Sequence, residues 1–284
     1  MRVLVIGASG MLGSMVFRFL AQNKGYQVFG SVRDSYWCSF FPPLLKSQLI
    51  SGIDVLSMDA LTTLFYQVKP DLVINCVGVT KHKPNAEDSL VSISINSLLP
   101  HHLANLSKLL GARMIHISTD CIFSGKCGSY RESDISDATD LYGRSKFLGE
   151  VEYSHTITLR TSIIGHELQS KYGLLEWFLQ QNKICDGYSE AIFSGFPTVV
   201  LAQIICDYVI PHNELSGVYH VSANPINKFE LLNLIAHTYK KEIEIIKNDV
   251  FRIDRSLNSD RFRSATGYEA PAWPELINTM HAYK

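Results

Sequence analysis

The first thirteen residues constrain this chain most. Val3-Leu-Val-Ile6 is an apolar run, and Gly7-Ala-Ser-Gly10-Met-Leu-Gly13 follows it directly. Beyond it, Leu12, Val16, Phe19 and Leu20 recur at helical spacing, which marks one buried face. Buried strand, glycine turn and amphipathic helix, in that order, predict a dinucleotide-binding βαβ unit. The first glycine permits the tight turn, and the second lets backbone N–H groups approach a pyrophosphate. The third lets the helix pack close to the sheet. The pyrophosphate then lies at the positive end of the helix, with Ser9, Met11 and Leu12 in the same cradle. The plainer alternative is an ordinary glycine-rich strand-to-helix turn.

Up to about residue 160 the pattern continues as strands alternating with helices, which predicts a parallel α/β sheet of the doubly wound, Rossmann type. Strands are expected at Tyr26–Val32, Asp71–Val77, Ala112–Ser118 and Thr156–Arg160. A helix is expected around Val91–Leu110 and another after Leu141, while Asp34–Ser51, with Pro42 and Pro43, reads as irregular. Residues 1–165 are the expected NAD(P)-binding domain. Residues 166–284 form a smaller substrate-binding lobe woven against it, with helices at Leu174–Gln181, Val199–Ile210 and Phe229–Tyr239 and one from Pro274 onward. Short strands are expected at Gly217–Val221 and Ile243–Ile246.

A net charge of −1 gives no general attraction to nucleic acid or to an anionic membrane, so an anionic ligand must be held locally. No apolar stretch reaches the ~18 residues needed to span a bilayer. The six cysteines (38, 76, 121, 127, 185, 206) show no CxxC pair and no metal-like clustering with histidine. No metal site is expected. Free thiols suit a reducing compartment, so the cytoplasm is the expected location.

Arg33 stands twenty residues after Gly13, where a dinucleotide site meets the adenosine ribose. An arginine there can pair with a 2′-phosphate, which favours NADPH. Asp34 can instead hydrogen-bond a ribose hydroxyl, which leaves NADH open. Tyr142 and Lys146 lie four residues apart and share a helix face. An ammonium beside a phenol lowers its pKa towards working pH, making the tyrosine usable as a general acid. The same lysine can hold the nicotinamide ribose. Thr119 ends a strand at the sheet edge where such folds bind ligands, and its hydroxyl can hold a carbonyl for Tyr142. By themselves these residues also suit bland roles: a helical aromatic–lysine pair, a turn threonine and a back-bonded Ser118.

The combination is more specific. GxxGxxG at the first turn resembles the extended short-chain dehydrogenase/reductases. Ser118-Thr-Asp-Cys-Ile-Phe-Ser-Gly125, Tyr130-Arg-Glu132 and Leu141-Tyr-Gly-Arg-Ser-Lys-Phe-Leu-Gly-Glu150 resemble the dTDP-4-dehydrorhamnose reductase family. Gly195-Phe-Pro-Thr198, Gly217-Val-Tyr-His-Val-Ser222 and Arg252–Gly267 extend the likeness over nearly the whole chain. The resemblance implies Thr119, Tyr142 and Lys146 as the catalytic trio. Gly7, Gly10, Gly13, Arg33, Asp59 and Lys146 would contact the cofactor; Val77, Gly78 and Val79 would line the nicotinamide side, and Asn96 would support it. Substrate contacts would come from Asp120, the Thr161–Gly165 loop, Thr198 and Arg252. The implied reaction is NAD(P)H-dependent reduction of a 4-keto-6-deoxy sugar nucleotide, in deoxysugar biosynthesis for surface polysaccharide. A homodimer is compatible with it.

Three departures bear on the substrate. Cys121 replaces the usual tyrosine, Lys81-His-Lys-Pro84 is unusually basic, and Arg252-Ile-Asp-Arg-Ser256 departs from R-P-x-x-S. Related 4,6-dehydratases carry Asp-Glu after the threonine where this chain has Asp120-Cys121, which disfavours water elimination. A 4-epimerase would retain NAD tightly, against which Arg33 speaks. A non-catalytic NADP-binding regulatory subunit stays open.

Overall fold

Seven parallel strands form the central sheet of the computed structural model, which describes residues 1–80 and 87–283. The first half runs β1 (Arg2–Ile6), α1 (Met11–Leu20), β2 (Gln27–Ser31), α2 (Pro43–Lys46), β3 (Leu49–Ile50), α3 (Met58–Val68) and β4 (Leu72–Asn75). Next comes one long helix, α4 (Ser89–Ser92), which passes through π-helical Ile93–Leu98 into α5 (Leu99–Leu109). Then follow β5 (Arg113–Thr119), α6 (Leu141–Leu148) and β6 (Thr156–Thr161). The second half holds β7 (Ile163–Ile164), α7 (Leu174–Gln180), β8 (Lys183–Tyr188), β9 (Ala191–Phe193), β10 (Phe196–Pro197), α8 (Thr198–Ile204) and β11 (Gly217–His220). It ends with β12 (Ile226–Asn227), α9 (Lys228–Tyr239), β13 (Ile243–Asn248), β14 (Ile253–Asp254), α10 (Asp260–Thr266) and α11 (Trp273–Ala282).

The strand order is β11-β6-β5-β4-β1-β2-β3. From β1 the chain winds outward one way, and from β4 the other way. The order therefore reverses between β1 and β4, which opens a crevice at their C-terminal ends. Alternation along β1 serves both faces: Val3 and Val5 enter a core with α1, α8 and α11, while Leu4 and Ile6 enter one with α3 and α5. The doubly wound architecture expected from the sequence is present. The segment expected to be irregular is more ordered than its composition suggests. It contains a 3₁₀ turn (Ser35–Phe40), α2 and β3, and β3 pairs with Gly30 and Ser31 of β2. The chain after residue 165 does more than cover the first half, because β11 pairs with β6 in the main sheet and α8 packs on α1.

A polar network ties the right-hand side of this sheet together. Glu150, just after α6, makes a bidentate ion pair with Arg160 of β6 through Nε at 2.9 Å and Nη2 at 2.8 Å. Ser118 of β5 donates to the same carboxylate at 2.6 Å. Arg160 Nη1 lies 3.2 Å from His220 Nε2 on β11, and His220 Nδ1 lies 2.9 Å from Tyr130 O. A guanidinium can only donate, so His220 accepts at Nε2 and donates from Nδ1. The backbone N–H of His220 is held by Glu132 at 2.8 Å. Burial first, and the Arg160 charge second, push the His220 pKa down to about 4.

The unfolded imidazole takes a proton near pH 6.5, whereas the folded one resists to about pH 4. Stability is therefore lost as pH falls through that window. Replacing His220 by Gln, which can still accept and donate, should remove on the order of 2 kcal/mol of this acid sensitivity. Denaturant titrations of both proteins at pH 7, 5.5 and 4.5 test it, and parallel pH dependences would rule it out.

Candidate active site

The glycine turn lies at the C-terminal end of β1, on the β1–β4 crevice. Gly7 adopts φ 85°, and a Cβ there would lie 2.7 Å from Val77 Cγ2. A Cβ on Gly13 would collide with the Gly7 carbonyl, so the third glycine lets α1 sit on the turn. Gly10 is exposed and serves as N-cap with no side-chain cap, and the first turn of α1 carries no acidic residue. Uncapped N–H groups at an open helix end fit a diphosphate. Ser31 steadies the turn, its hydroxyl accepting from Gly7 N at 3.3 Å.

Arg33 follows β2 and is exposed, with no hydrogen bond or ion pair among the described residues. Asp34 caps the next 3₁₀ turn by accepting from Tyr36 N at 2.6 Å, which occupies one of its oxygens. Asp59 is exposed in the first turn of α3, which Ser57 caps. At the end of β4, Val79 is gripped at both backbone atoms by the buried Asn96 amide: Val79 N donates at 2.9 Å, and Val79 O accepts at 3.1 Å. The Asn96 amide also donates to Ser145 Oγ of α6 at 3.1 Å. Asn96 thus shapes the Val77–Val79 loop, and its own amide faces protein. Lys81–Pro84 lies outside the described residues.

Thr119, at the C-terminal end of β5, is 7 % exposed. Its Oγ1 accepts from Cys121 N at 3.1 Å and donates to Asp120 Oδ1 at 3.2 Å, and its side chain acts on the Tyr142 phenol. Tyr142 reaches it because Asp140 caps α6 through Gly143 N, which places Tyr142 in the first turn. Gly143 is needed there, since a Cβ would meet the Cys121 carbonyl. Lys146, one turn later, is 4 % exposed and donates to Ile117 O at 2.7 Å.

The electrostatics correct one expectation. The Tyr142 pKa is raised, first by burial and then by Cys121, while the Thr119 hydrogen bond pulls the other way. The lysine does not offset this, because its ammonium turns to the Ile117 carbonyl and is itself pushed down to about 8 by burial, against the Glu150 charge. Asp120 is also raised by burial, against hydrogen bonds from Cys121, Thr119 and Ser162 and the charge of Arg255.

Of the expected substrate residues, Asp120 lies at the centre. Thr161 is 2 % exposed and donates to Ser162 O at 3.2 Å. Thr198 is 1 % exposed and packs on Gly165, so it shapes the wall from behind. Arg252 is exposed, and Arg255, three residues on, has Nη1 3.5 Å from Cys121 Sγ and Nε donating to Phe123 O at 2.8 Å. Lys228, the first residue of α9, also faces Asp120, Cys121 and Arg255, and burial lowers its pKa. The sequence offered no signal for Lys228 beyond a basic residue at a helix start. Among the described residues no cluster of histidine, cysteine and carboxylate side chains could hold a metal, and no helix is long and apolar enough to cross a membrane.

Comparison with known proteins fits this arrangement. The chain is 26 % identical over 234 residues to dTDP-4-dehydrorhamnose reductase of Aggregatibacter actinomycetemcomitans, covering 79 % of this chain and 74 % of that one. It is 30 % identical over 260 residues to methionine adenosyltransferase 2 subunit beta of Bos taurus, covering 84 % and 72 %. The fold matches a dTDP-4-dehydrorhamnose reductase from Bacillus anthracis solved with NADP, at TM-score 0.80 and 21 % identity over 100 % of this chain and 99 % of that one. The sequence profile of the RmlD substrate binding domain matches residues 1–280, and the chain belongs to that family.

Proposed function

We propose that this chain is an NADPH-dependent oxidoreductase that reduces the 4-keto group of a 4-keto-6-deoxy sugar nucleotide, in deoxysugar biosynthesis for surface polysaccharide. NADH is the alternative donor. The observation that carries the reading is the meeting of the buried Tyr142 phenol of α6 with the Thr119 side chain at the end of β5, with Lys146 on the same helix. The cofactor would rest on Gly7–Gly13 and supply hydride to the carbonyl carbon. Thr119 orients the carbonyl oxygen, and Tyr142 gives it a proton as negative charge develops there. Lys146, whose ammonium donates one hydrogen to Ile117 O, would serve the ribose with the others. Substrate enters over the lobe after residue 165. The same reading includes a cytoplasmic location and a homodimer, for which exposed Leu90, Ile93, Leu98, Phe147 and Leu148 offer an apolar face. Cys121, a thiol beside Arg255, supplies no carboxylic acid for dehydration.

The likeness to methionine adenosyltransferase 2 subunit beta supports a second reading, a non-catalytic NADP-binding subunit of a partner enzyme. NADPH oxidation by the wild type with dTDP-4-dehydrorhamnose separates the two, since the subunit predicts none at any substrate concentration.

Tyr142→Phe keeps the ring and removes the proton, so kcat should fall by ~10²–10⁴ with cofactor affinity and melting temperature nearly unchanged. Lys146→Ala should also weaken cofactor binding. Full turnover by folded Tyr142→Phe would refute the mechanism. Arg33→Asp tests the cofactor: a charge-assisted contact to phosphate contributes on the order of 1.5–3 kcal/mol, so NADPH should weaken much more than NADH. Equal losses in titrations with both cofactors would remove Arg33 as the selector.

A further inference from the structure

Residues 166–173 belong to the second half of the chain, yet they reach the sheet edge on which the glycine turn opens. The segment starts just past β6 and β7, and its tip bonds the chain that follows β2, although three strands separate β6 from β2. There Gln169 Nε2 donates to the Tyr36 hydroxyl at 2.9 Å. The Tyr36 ring stands edge-on to Trp37 and Phe40, with ring centres 5.8 and 5.3 Å apart, and those two side chains pack on the core around α1. The hydroxyl that accepts from Gln169 is therefore held in place. Further along, Gly173 lies against Met11, the first residue of α1, since a Cβ on it would come within 2.6 Å of Met11 Cε.

The root of the segment is anchored more firmly than its tip. His166 Nδ1 lies 2.8 Å from Glu176 Oε1 of α7, and its Nε2 lies 2.9 Å from the Tyr239 hydroxyl of α9. Glu167 folds the segment back on itself, accepting from Ser170 Oγ at 2.6 Å and from Gly173 N at 2.8 Å. Leu168 packs on the same core as Trp37 and Phe40. Among the described residues, the Gln169–Tyr36 bond is the one side-chain hydrogen bond that ties residues 166–173 to the first half. Both partners face solvent, so this bond can part while the core stays closed.

We infer that residues 166–173 are a strap over the diphosphate–adenosine half of the dinucleotide groove, and that the Gln169–Tyr36 bond is the clasp that parts when cofactor enters or leaves. This rests on the reading that the dinucleotide lies on Gly7–Gly13 with its adenosine ribose towards Arg33. A dinucleotide so held runs from the start of α1 to the end of β2. The strap touches the protein at both places: at Met11 through Gly173, and through Gln169 at Tyr36, three residues beyond Arg33. Tyr36 and Gln169 are positioning residues, because they hold each other and not the ligand. Loosening such a clasp opens the passage equally to entry and to release, so it changes both rates and leaves the affinity alone. A side chain that touches the cofactor behaves otherwise, since its loss speeds release and weakens binding.

Stopped-flow nicotinamide fluorescence follows NADPH association, and a chase with excess NADP⁺ follows its release. Tyr36→Phe keeps the ring and removes the acceptor, while Gln169→Ala removes the donor. Each should speed association and release alike by about 5-fold, which is ~1 kcal/mol, the net contribution of an ordinary hydrogen bond, with Kd within about 2-fold of wild type. The double variant should match each single one, because all three lack the same bond. Faster release with unchanged association would make the pair cofactor contacts and overturn the strap. Unchanged rates, or single effects that add, would overturn it too. Should either variant melt early, Glu167→Ala loosens the strap at another point and must speed both rates together; a failure to do so is equally decisive. Wild type that binds no NADPH at all defeats the cofactor reading itself, a separate outcome.

Discussion

The buried ion pair between Glu150 and Arg160 is the contact on which the geometry of the site depends. Both side chains are almost fully enclosed, at 4 % and 6 % exposure, so each charge would be costly without the other. Removing one partner of such a pair typically costs 3–5 kcal/mol. The pair joins the end of α6 to β6, Ser118 adds β5, and His220 adds β11. It thereby sets where α6 lies against the end of β5, and so where the Tyr142 hydroxyl meets Thr119. The Arg160 guanidinium also lies 5.6 Å from the centre of the Phe123 ring, which stacks on Tyr130. The polar network and the loop after β5 are thus one construction.

A second clamp works from the opposite side of α6. The π-helical turn at Ile93–Leu98 aims Asn96 and Ser97 at that helix, where Ser97 Oγ donates to Ser145 O at 2.8 Å. Gly149 has no room for a Cβ because the Asn96 carbonyl fills the place. Wide turns of this kind recur at functional sites, where they redirect one side chain without ending the helix. Here the redirected side chain holds the Val77–Val79 loop.

Residues next to one another in sequence made much of this legible. The glycine turn, the strand ending at Thr119 and the helix opening at Leu141 each carry local signals: glycine spacing, an apolar run, a Tyr–Lys pair four residues apart. The doubly wound parallel sheet followed from the alternation of strands and helices. What stayed hidden depends on distant packing. The burial that raises the Tyr142 pKa comes from segments on several elements, and no Tyr–Lys spacing encodes it. Arg255 meets Cys121 through the loop after β14, and so short a strand leaves no periodicity to read. Lys228 approaches Asp120 only after α9 has docked, and the π turn has no sequence signature in an otherwise regular helical stretch.

Strand β11 also governs the order in which the molecule can be made. During synthesis β6 emerges first, and its open edge waits for residues far downstream to pair with it. Until they arrive, Arg160 lacks its imidazole neighbour, and a row of backbone N–H and C=O groups is free to pair with another chain. Parallel pairing across so long a stretch of sequence is slow to form. The nascent first half is therefore a natural client for a chaperone, and truncations ending before residue 217 should yield aggregates and not a working half-enzyme.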